Sequence, residues 1–169
     1  VDLVERPGIA PVLTVDSPTV RDGALIPVGG GKDSALVADL VPDGVLMAVN
    51  PKGAHQHLAE HLGRPLLSVQ RTLDPQLREL VAAGALNGHV PVTAINSAIA
   101  VALAVLIDRR DVLMGLERSA SEPSLVIPAE AGLPEIEVNH QYSKSAEAEQ
   151  LLRAVFDPIG VRYLSLLRP

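Results

Sequence analysis

The stretch IPVGGGKDSALVADLV, residues 26–41, decides how the fold is read. An apolar run ends in three glycines, and a helix-like run that starts with Lys32, Asp33 and Ser34 follows at once. Glycines between a strand and a helix let the backbone adopt positive φ and turn its N–H groups inward. Such amide nests beside a helix N-terminus attract phosphate. The stretch therefore predicts a strand, an anion-binding turn and a helix.

The rest of the chain continues this alternation. Strands are predicted at residues 23–28, 44–50, 65–73, 111–116 and 161–167, and helices at 33–41, 54–63, 74–88, 92–108 and 146–156. Alternating strands and helices predict an α/β fold with a doubly wound, mainly parallel sheet flanked by helices. Ligands of such sheets bind beyond the carboxyl ends of the strands. Residues 117–145, with three prolines, are predicted to be an irregular functional loop.

The composition fits one aliphatic domain. The 169 residues are 47% hydrophobic but only 2% aromatic, which suits a parallel sheet covered by helices. A net charge of -6 argues against a nucleic-acid partner, and the lack of cysteine excludes disulfides and thiolate chemistry within this chain. The longest apolar run, residues 97–108, is shorter than the roughly 20 residues of a membrane span. We expect a cytoplasmic protein without a membrane partner.

Three side chains at the end of the glycine run suit a phosphate-rich ligand. Lys32 supplies a charge for a phosphate oxygen, and Ser34 supplies a hydroxyl donor. Asp33 can cap the helix or hold Mg²⁺, which prefers carboxylate and phosphate oxygens. The run lacks the upstream glycine of the kinase-type phosphate loop and the spacing of the dinucleotide fingerprint. An ordinary glycine-rich turn between strand and helix is the alternative.

The glycine run resembles the pyrophosphate loop of ATP pyrophosphatases, which reads Ser-Gly-Gly-x-Asp-Ser, except that a glycine replaces the leading Ser. The resemblance implies an adenine-nucleotide alpha hydrolase-like fold and a loop that grips the β- and γ-phosphates of ATP. It assigns ATP binding to Gly29, Gly30, Gly31, Lys32, Asp33 and Ser34.

Three later sequence motifs point to a more specific family. They read NGHVP at residues 87–91, ERSASE at 117–122 and NHQYSKS at 139–145. In this order, behind a glycine-lysine-aspartate loop, they resemble the ATP-dependent UDP-N-acetylmuramoyl-L-alanyl-L-glutamate epimerases of bacterial cell-wall synthesis. The resemblance covers residues 23–169. It implies that residues 1–22 are a lead-in and 23–169 an ATP-binding domain, a fragment of a longer enzyme whose missing domain is a possible partner.

The resemblance also implies a reaction. The terminal L-glutamate of the UDP-muramoyl dipeptide substrate is inverted to D-glutamate, with ATP and Mg²⁺ as cofactors and AMP and pyrophosphate as products. The catalytic candidates are His140, Lys144, Glu117 and His89. The candidates for binding substrate or phosphate are Asn87, Arg118, Ser119, Glu122, Asn139 and Gln141.

Each candidate has a structural alternative. Glu117 and Arg118 could form a surface ion pair, His140 could be a satisfied core or cap histidine, and Lys144 could precede a solvated helix start. Two other functions fit the same pattern: an amide ligase in which ammonia attacks the adenylate, and a nucleotide-binding module without catalysis. The number of catalytic bases, the strand order and the oligomeric state stay open at this point.

Overall fold

The computed structural model describes residues 22–86, 90–130 and 134–167. Five parallel strands form one sheet: β1 (Ala24–Pro27), β2 (Val45–Val49), β3 (Leu66–Val69), β4 (Asp111–Met114) and β7 (Arg162–Ser165). Two short strands, β5 (Leu125–Ile127) and β6 (Ile136–Val138), pair antiparallel in a separate ribbon. The helices are α1 (Lys32–Leu40), α2 (Gly53–His61), α3 (Gln76–Ala82), α4 (Val92–Leu106) and α5 (Ala146–Phe156).

The strand order is β3-β2-β1-β4-β7, with β1 at the centre. The chain therefore winds outward from β1 to β3 on one side and from β4 to β7 on the other. In such a doubly wound sheet a crevice opens where the winding direction reverses, beyond the carboxyl ends of the two central strands. Here that place lies between β1 and β4.

Helices cover both faces of the sheet because successive strand residues point to opposite sides. Leu25 and its neighbours on one face pack against α4 and α5, through Ala100 and Phe156. Ile26 and its neighbours on the other face pack against α1 and α2, through Val37 and Ala59. Both clusters are aliphatic apart from a few residues, as the composition predicted. The α/β architecture with a parallel sheet flanked by helices is confirmed.

A polar chain of contacts joins α5 to the end of β4. Ser145 caps α5 by accepting a hydrogen bond from the N–H of Ala148 at 3.1 Å, an arrangement that typically stabilises a helix by about 1 kcal/mol. The buried carboxylate of Glu149 accepts the N–H of Ser165 at 3.1 Å. The Ser165 hydroxyl donates to the carbonyl of Leu116 and accepts its N–H. The turn after β4 is thus held by β7 and α5.

The opposite, amino edge of the sheet is closed by an ion pair. Asp111 begins β4 directly beside Arg162, which begins β7. The Arg162 guanidinium donates two hydrogen bonds to the Asp111 carboxylate, at 2.6 and 2.8 Å. Burial alone would raise the pKa of Asp111, but the hydrogen bonds from Arg162 and from Arg110 outweigh it and hold the pKa below its usual value.

Two segments differ from the sequence-based prediction. The third strand ends at Val69 rather than at residue 73, and the following helix spans seven residues instead of fifteen. Residues 117–145, predicted to be irregular, contain the β5–β6 ribbon. Each ribbon strand is three residues long, too short for an alternating pattern to stand out. Within the described ranges, no helix is both long and apolar enough to span a membrane.

Candidate functional site

A cavity of about 280 Å³ opens at the carboxyl ends of β1 and β4. The turn after β1 and the start of α1 form one wall, and the turn after β4 forms a second. The end of β2, the first turns of α4 and Lys144 complete it. The lining includes Gly29, Gly31, Asp33, Ser34, Ala48, Thr93, Asn96, Gly115, Leu116 and Lys144. The cavity therefore lies at the switch point of the sheet, where the topology predicts a ligand.

The glycine turn is tightly closed on itself. Gly30 has φ +78°, a conformation that glycine adopts without strain. The Ser34 hydroxyl accepts the N–H of Gly29 and donates to the carbonyl of Gly31, both at 3.1 Å. Gly31 caps α1 without a side chain, and the first N–H groups of a helix have no acceptor within that helix. The turn thus offers amide donors next to the positive end of α1.

Gly115 allows α1 and the turn after β4 to meet. A Cβ atom at this position would lie 2.8 Å from the carbonyl group of Asp33 and 2.9 Å from the N of Ser34. These are backbone atoms that a side chain cannot push aside cheaply. The missing side chain therefore brings Glu117, two residues further on, to the start of α1.

Four charged groups converge at this contact. Lys32 Nζ lies 3.2 Å from Glu117 Oε1, and Glu117 also shares a hydrogen bond with Asp33. The charge of Lys144 also acts on Asp33 and opposes the rise of its pKa. Burial raises the pKa of Asp33, and the hydrogen bond with Glu117 raises it further. The same bond, together with those from Lys32 and Ser119, lowers the pKa of Glu117.

The two facing carboxylates suit a hard cation. Mg²⁺ is usually held by one or two carboxylates together with phosphate oxygens and water. Asp33 and Glu117 supply that number, and burial together with the neighbouring Glu117 raises the pKa of Asp33. Among the residues that the structure describes, no cluster of three or more His, Cys, Asp or Glu could hold a metal by itself. The donor set therefore fits a cation completed by a phosphate ligand.

The structure separates the predicted site residues into two groups. In the first group, Gly29, Gly31, Asp33, Ser34 and Lys144 line the cavity. Gly30 shapes the turn. Lys32 and Glu117 join the site through their ion pair.

The second group organises the surrounding loops. Asn139 donates to the carbonyl of Ala120 and accepts the N–H of Gln141. Ser119 donates to Glu117, and Gln141 accepts from Lys144. Exposed Arg118 and Glu122 belong to the turn beyond Glu117 and do not line the cavity. Predicted Asn87 and His89 lie outside the described residues.

His140 belongs with these loop contacts. Its Nδ1 lies 2.7 Å from the Ser124 hydroxyl, and its backbone N–H donates to the same oxygen. The imidazole is exposed at the base of the β5–β6 ribbon and is not part of the cavity lining. The imidazole therefore makes a contact within the loops and does not line the cavity.

Two polar lining residues were not among the predicted site residues. Thr93 and Asn96 stand on the first turns of α4, and Asn96 Oδ1 is buried without a hydrogen-bond partner among the described residues. Buried polar atoms are nearly always hydrogen-bonded, so this oxygen is an acceptor that water or a ligand donor can satisfy. The signal in the sequence was the group of polar side chains in the first turns of a mostly apolar helix.

These features define a class of protein: a doubly wound α/β domain with a polar, glycine-lined cavity at the switch point of a parallel sheet. The chain belongs to the MurL N-terminal domain family, whose family model matches residues 5–166. The resemblance indicated by the three motif clusters is therefore confirmed.

Curated relatives carry one name, UDP-N-acetyl-alpha-D-muramoyl-L-alanyl-L-glutamate epimerase. The chain is 45% identical to the protein of Salinispora tropica over 83% of its own length and 31% of that protein. It is 44% identical to the protein of Micromonospora sp., over 95% of its own length and 36% of that protein. It is 43% identical to the protein of Xanthomonas oryzae pv. oryzae, over 89% of its own length and 34% of that protein. The chain thus spans about a third of the length of the curated relatives it matches.

Among solved structures, the chain is similar to UDP-glucose-4-epimerase from Stenotrophomonas maltophila, with 15% identity and a TM-score of 0.41. The alignment covers 85% of this chain and 52% of that one. A likeness at this level carries no argument about fold, ligand or reaction.

Proposed function

We propose that this domain is the ATP-binding part of a cytoplasmic epimerase that inverts the terminal L-glutamate of UDP-N-acetylmuramoyl-L-alanyl-L-glutamate in peptidoglycan precursor synthesis. The names of the relatives support the substrate and the epimerisation. The observation that carries the ATP-binding role is the cavity at the switch point, where a glycine turn and a helix start meet Asp33, Glu117 and Lys144. We further propose that the fold is of the pyrophosphate-loop type.

ATP would solve a problem of acidity. The Cα proton beside a carboxylate is very weakly acidic, because its removal places negative charge next to an anion. Attack of the substrate carboxylate on the α-phosphorus of ATP forms a mixed anhydride with AMP and releases pyrophosphate. The anhydride carbonyl can take up the charge of the deprotonated Cα as an enolate. A base removes the proton from one face, a proton returns on the other, and water cleaves the anhydride to AMP and D-glutamate product.

The turn after β1 is the proposed site of the ATP polyphosphate. Amide donors at the start of α1 and the cation of Lys32 would offset its negative charge. Lys32 suits this role because 85% of its side chain is exposed beside Glu117, so it can exchange that partner for a phosphate. Asp33 and Glu117 would hold Mg²⁺, which would supply positive charge beside the pyrophosphate leaving group.

Lys144 is the first candidate for the proton transfer. It lines the cavity and lies within electrostatic reach of Asp33. A positioned acid or base typically contributes about 10²–10⁴-fold to a rate. His140 bonds to Ser124 outside the cavity lining, which favours Lys144 over it. His89 stays a prediction.

The proposal is tested on a full-length enzyme that contains this domain. The enzyme is incubated with ATP, Mg²⁺ and the UDP-muramoyl dipeptide in deuterated water. We expect release of one pyrophosphate for each activated substrate and deuterium at the glutamate Cα. Lys144→Met should keep pyrophosphate release and lose deuterium incorporation, whereas Lys52→Met, an exposed control on the neighbouring loop, should keep both.

Three outcomes would contradict the proposal. Pyrophosphate release without deuterium incorporation, with ammonia consumed, would instead support an amide ligase. ATP binding without pyrophosphate release for this substrate would support a module without catalysis. Epimerisation that needs no ATP would remove the adenylation step altogether.

A further inference from the structure

A second cavity, of about 430 Å³, lies at the carboxyl ends of β2 and β3. Asn50, the first residue after β2, lines it together with the segment between β3 and α3 and the first turn of α3. Val49, the residue before, lines the first cavity. The two cavities are therefore neighbours along one edge of the sheet.

The wall of this second cavity is fixed by an unusual backbone position. Asn50 has φ +48°, which asparagine tolerates better than most residues. Its side-chain amide donates to the carbonyl of Arg71 at 2.8 Å, and its side-chain oxygen accepts the Arg71 N–H at 2.7 Å. The backbone N–H of Asn50 donates to Val69. A segment held in this way loses little further freedom when a ligand binds.

The two arginines of this cavity, Arg71 and Arg78, form no ion pair with any residue that the structure describes. Arg71 Nε is buried with no hydrogen-bond acceptor in the same ranges. Asp74 also lines the cavity, but its Oδ1 accepts the N–H of Gln76. A buried charged donor without an acceptor costs free energy that an anionic ligand would recover.

The chain as a whole carries a net charge of -6, so two guanidinium groups at one cavity, without an ion-pair partner in the described part of the chain, are not explained by an excess of cations. Guanidinium groups bind phosphate oxygens through paired hydrogen bonds. The Thr72 hydroxyl in the same wall adds a neutral donor. The lining thus fits a phosphate better than an apolar group.

We propose that this second cavity binds the diphosphate of the nucleotide-linked substrate, while the glycine-lined cavity binds ATP. The inference rests on the proposed function, which requires two nucleotides to be held at once. Arg71 provides the buried half of the subsite and Arg78 the exposed half. The adjacency of Val49 and Asn50 lets one substrate reach from its diphosphate toward the ATP cavity.

The test measures binding of UDP to the full-length enzyme by equilibrium dialysis, without ATP. Arg71→Ala and Arg78→Ala should each weaken UDP binding about tenfold, the loss expected for a charged hydrogen bond. Arg71→Lys should restore only part of the affinity because it keeps the charge without the planar fork. Arg153→Ala, an exposed arginine on α5 that lines neither cavity, is the matched control and should bind UDP like the parent.

Steady-state kinetics provides the second arm. The KM for the UDP-linked substrate should rise about tenfold in each alanine variant, with the KM for ATP unchanged. An equal rise in the KM for ATP would assign the arginines to ATP and overturn the proposal. Unchanged UDP binding in a variant that carries both Arg71→Ala and Arg78→Ala would also overturn it, as would weakened binding of free L-alanyl-L-glutamate instead of UDP.

UDP binding does not require turnover, so the two proposals fail separately. Arginine-dependent UDP binding in an enzyme that releases no pyrophosphate would leave the subsite standing and remove the adenylation reaction. Pyrophosphate release by an enzyme whose UDP binding does not depend on the two arginines would leave the adenylation reaction standing and remove the subsite. The melting temperature of each variant checks that it is folded.

Discussion

Asp111 and Asp33 lie at opposite edges of the same parallel sheet. Asp111 begins β4 at the amino edge, where Arg162 and Arg110 hold its pKa below the usual value against the effect of burial. Asp33 lies on α1 just after β1, at the carboxyl edge, where burial and the bond with Glu117 raise its pKa. The fold favours the charged form of Asp111 and disfavours the charged form of Asp33.

The difference separates stability from function. A carboxylate with a lowered pKa stabilises the folded chain, since its charged form is favoured there. A carboxylate with a raised pKa works against folding at neutral pH and is typical of sites where a ligand completes the charge balance. We therefore expect changes at the amino edge to affect unfolding and changes at the carboxyl edge to affect turnover.

The largest expected effect is that of Asp33→Asn. It removes one of the two carboxylates proposed to hold Mg²⁺, and pyrophosphate release should fall about 10²–10³-fold, as when a group that stabilises transition-state charge is lost. The melting temperature should not fall, because the variant also removes a carboxylate whose charged form is disfavoured in the folded chain. Asp39→Asn, at an exposed position of the same helix, is the control. Full pyrophosphate release by Asp33→Asn would break the comparison.

The next effect is that of Gly115→Ala. The new methyl group would meet the backbone of Asp33 and Ser34 at less than 3.0 Å, so the turn after β4 must move away from α1. A displacement near 1 Å at a catalytic group can cost about 10²-fold in rate. We expect a loss of that order in kcat for pyrophosphate release. Gly53→Ala, where nothing lies within 4 Å of the new atom, should have no such effect.

A smaller effect, confined to stability, is expected for Arg162→Ala. The variant leaves buried Asp111 with Arg110 as its remaining partner. Loss of hydrogen bonds to a charged group should lower the free energy of unfolding by about 1.5–3 kcal/mol, measured by urea denaturation. The KM values for both substrates should stay the same. Arg153→Ala provides the matched surface control, and a change in KM for Arg162→Ala would contradict the division between the edges.

The pH dependence of stability should have opposite signs at the two edges. The stabilisation from Asp111 is present above the ordinary pKa of 3.8 and is lost as pH falls through its lower folded pKa, so Asp111→Asn should remove part of the acid sensitivity. Asp33 binds its proton more tightly in the folded chain than in the unfolded chain. The stability of the parent should therefore rise relative to that of Asp33→Asn as pH falls through the range just above 3.8. The urea midpoints of the parent and of the two variants, measured between pH 3 and pH 7, test both expectations. Slopes of the same sign would refute the assignment.

The sequence predicted the strands and helices because the periodicity of hydrophobic residues and the residues that favour turns are both read from short segments. The five sheet strands, the five helices and the glycine turn after β1 were all indicated by short segments. Strand order could not be predicted, since it depends on which crossovers pack across the sheet. The β5–β6 ribbon was missed because its strands are three residues long.

The site was predicted less completely, for a similar reason. Lys32, Asp33, Glu117 and Lys144 were named from motifs, and they do converge. The division between residues that line the cavity and residues that hold the loops, such as Asn139 and His140, depends on contacts between distant segments. Asn96 was missed because the sequence of α4 predicts an apolar helix face but does not show that the start of this helix lies at the cavity.

The smallest expected effect sharpens the comparison at the carboxyl edge. The Lys32–Glu117 pair is exposed, and exposed pairs contribute little to stability, so Lys32→Met should leave the urea midpoint unchanged. The hydrogen bond with Glu117 raises the pKa of Lys32, so the residue stays charged across the neutral range and can attract a polyphosphate. We expect a higher KM for ATP in Lys32→Met, with a weaker dependence on salt because one screened attraction is gone. Lys32→Arg should retain most of the ATP affinity. If Lys32→Met lowered the urea midpoint and left the KM for ATP unchanged, this lysine would belong with Arg162 among the groups that hold the fold together.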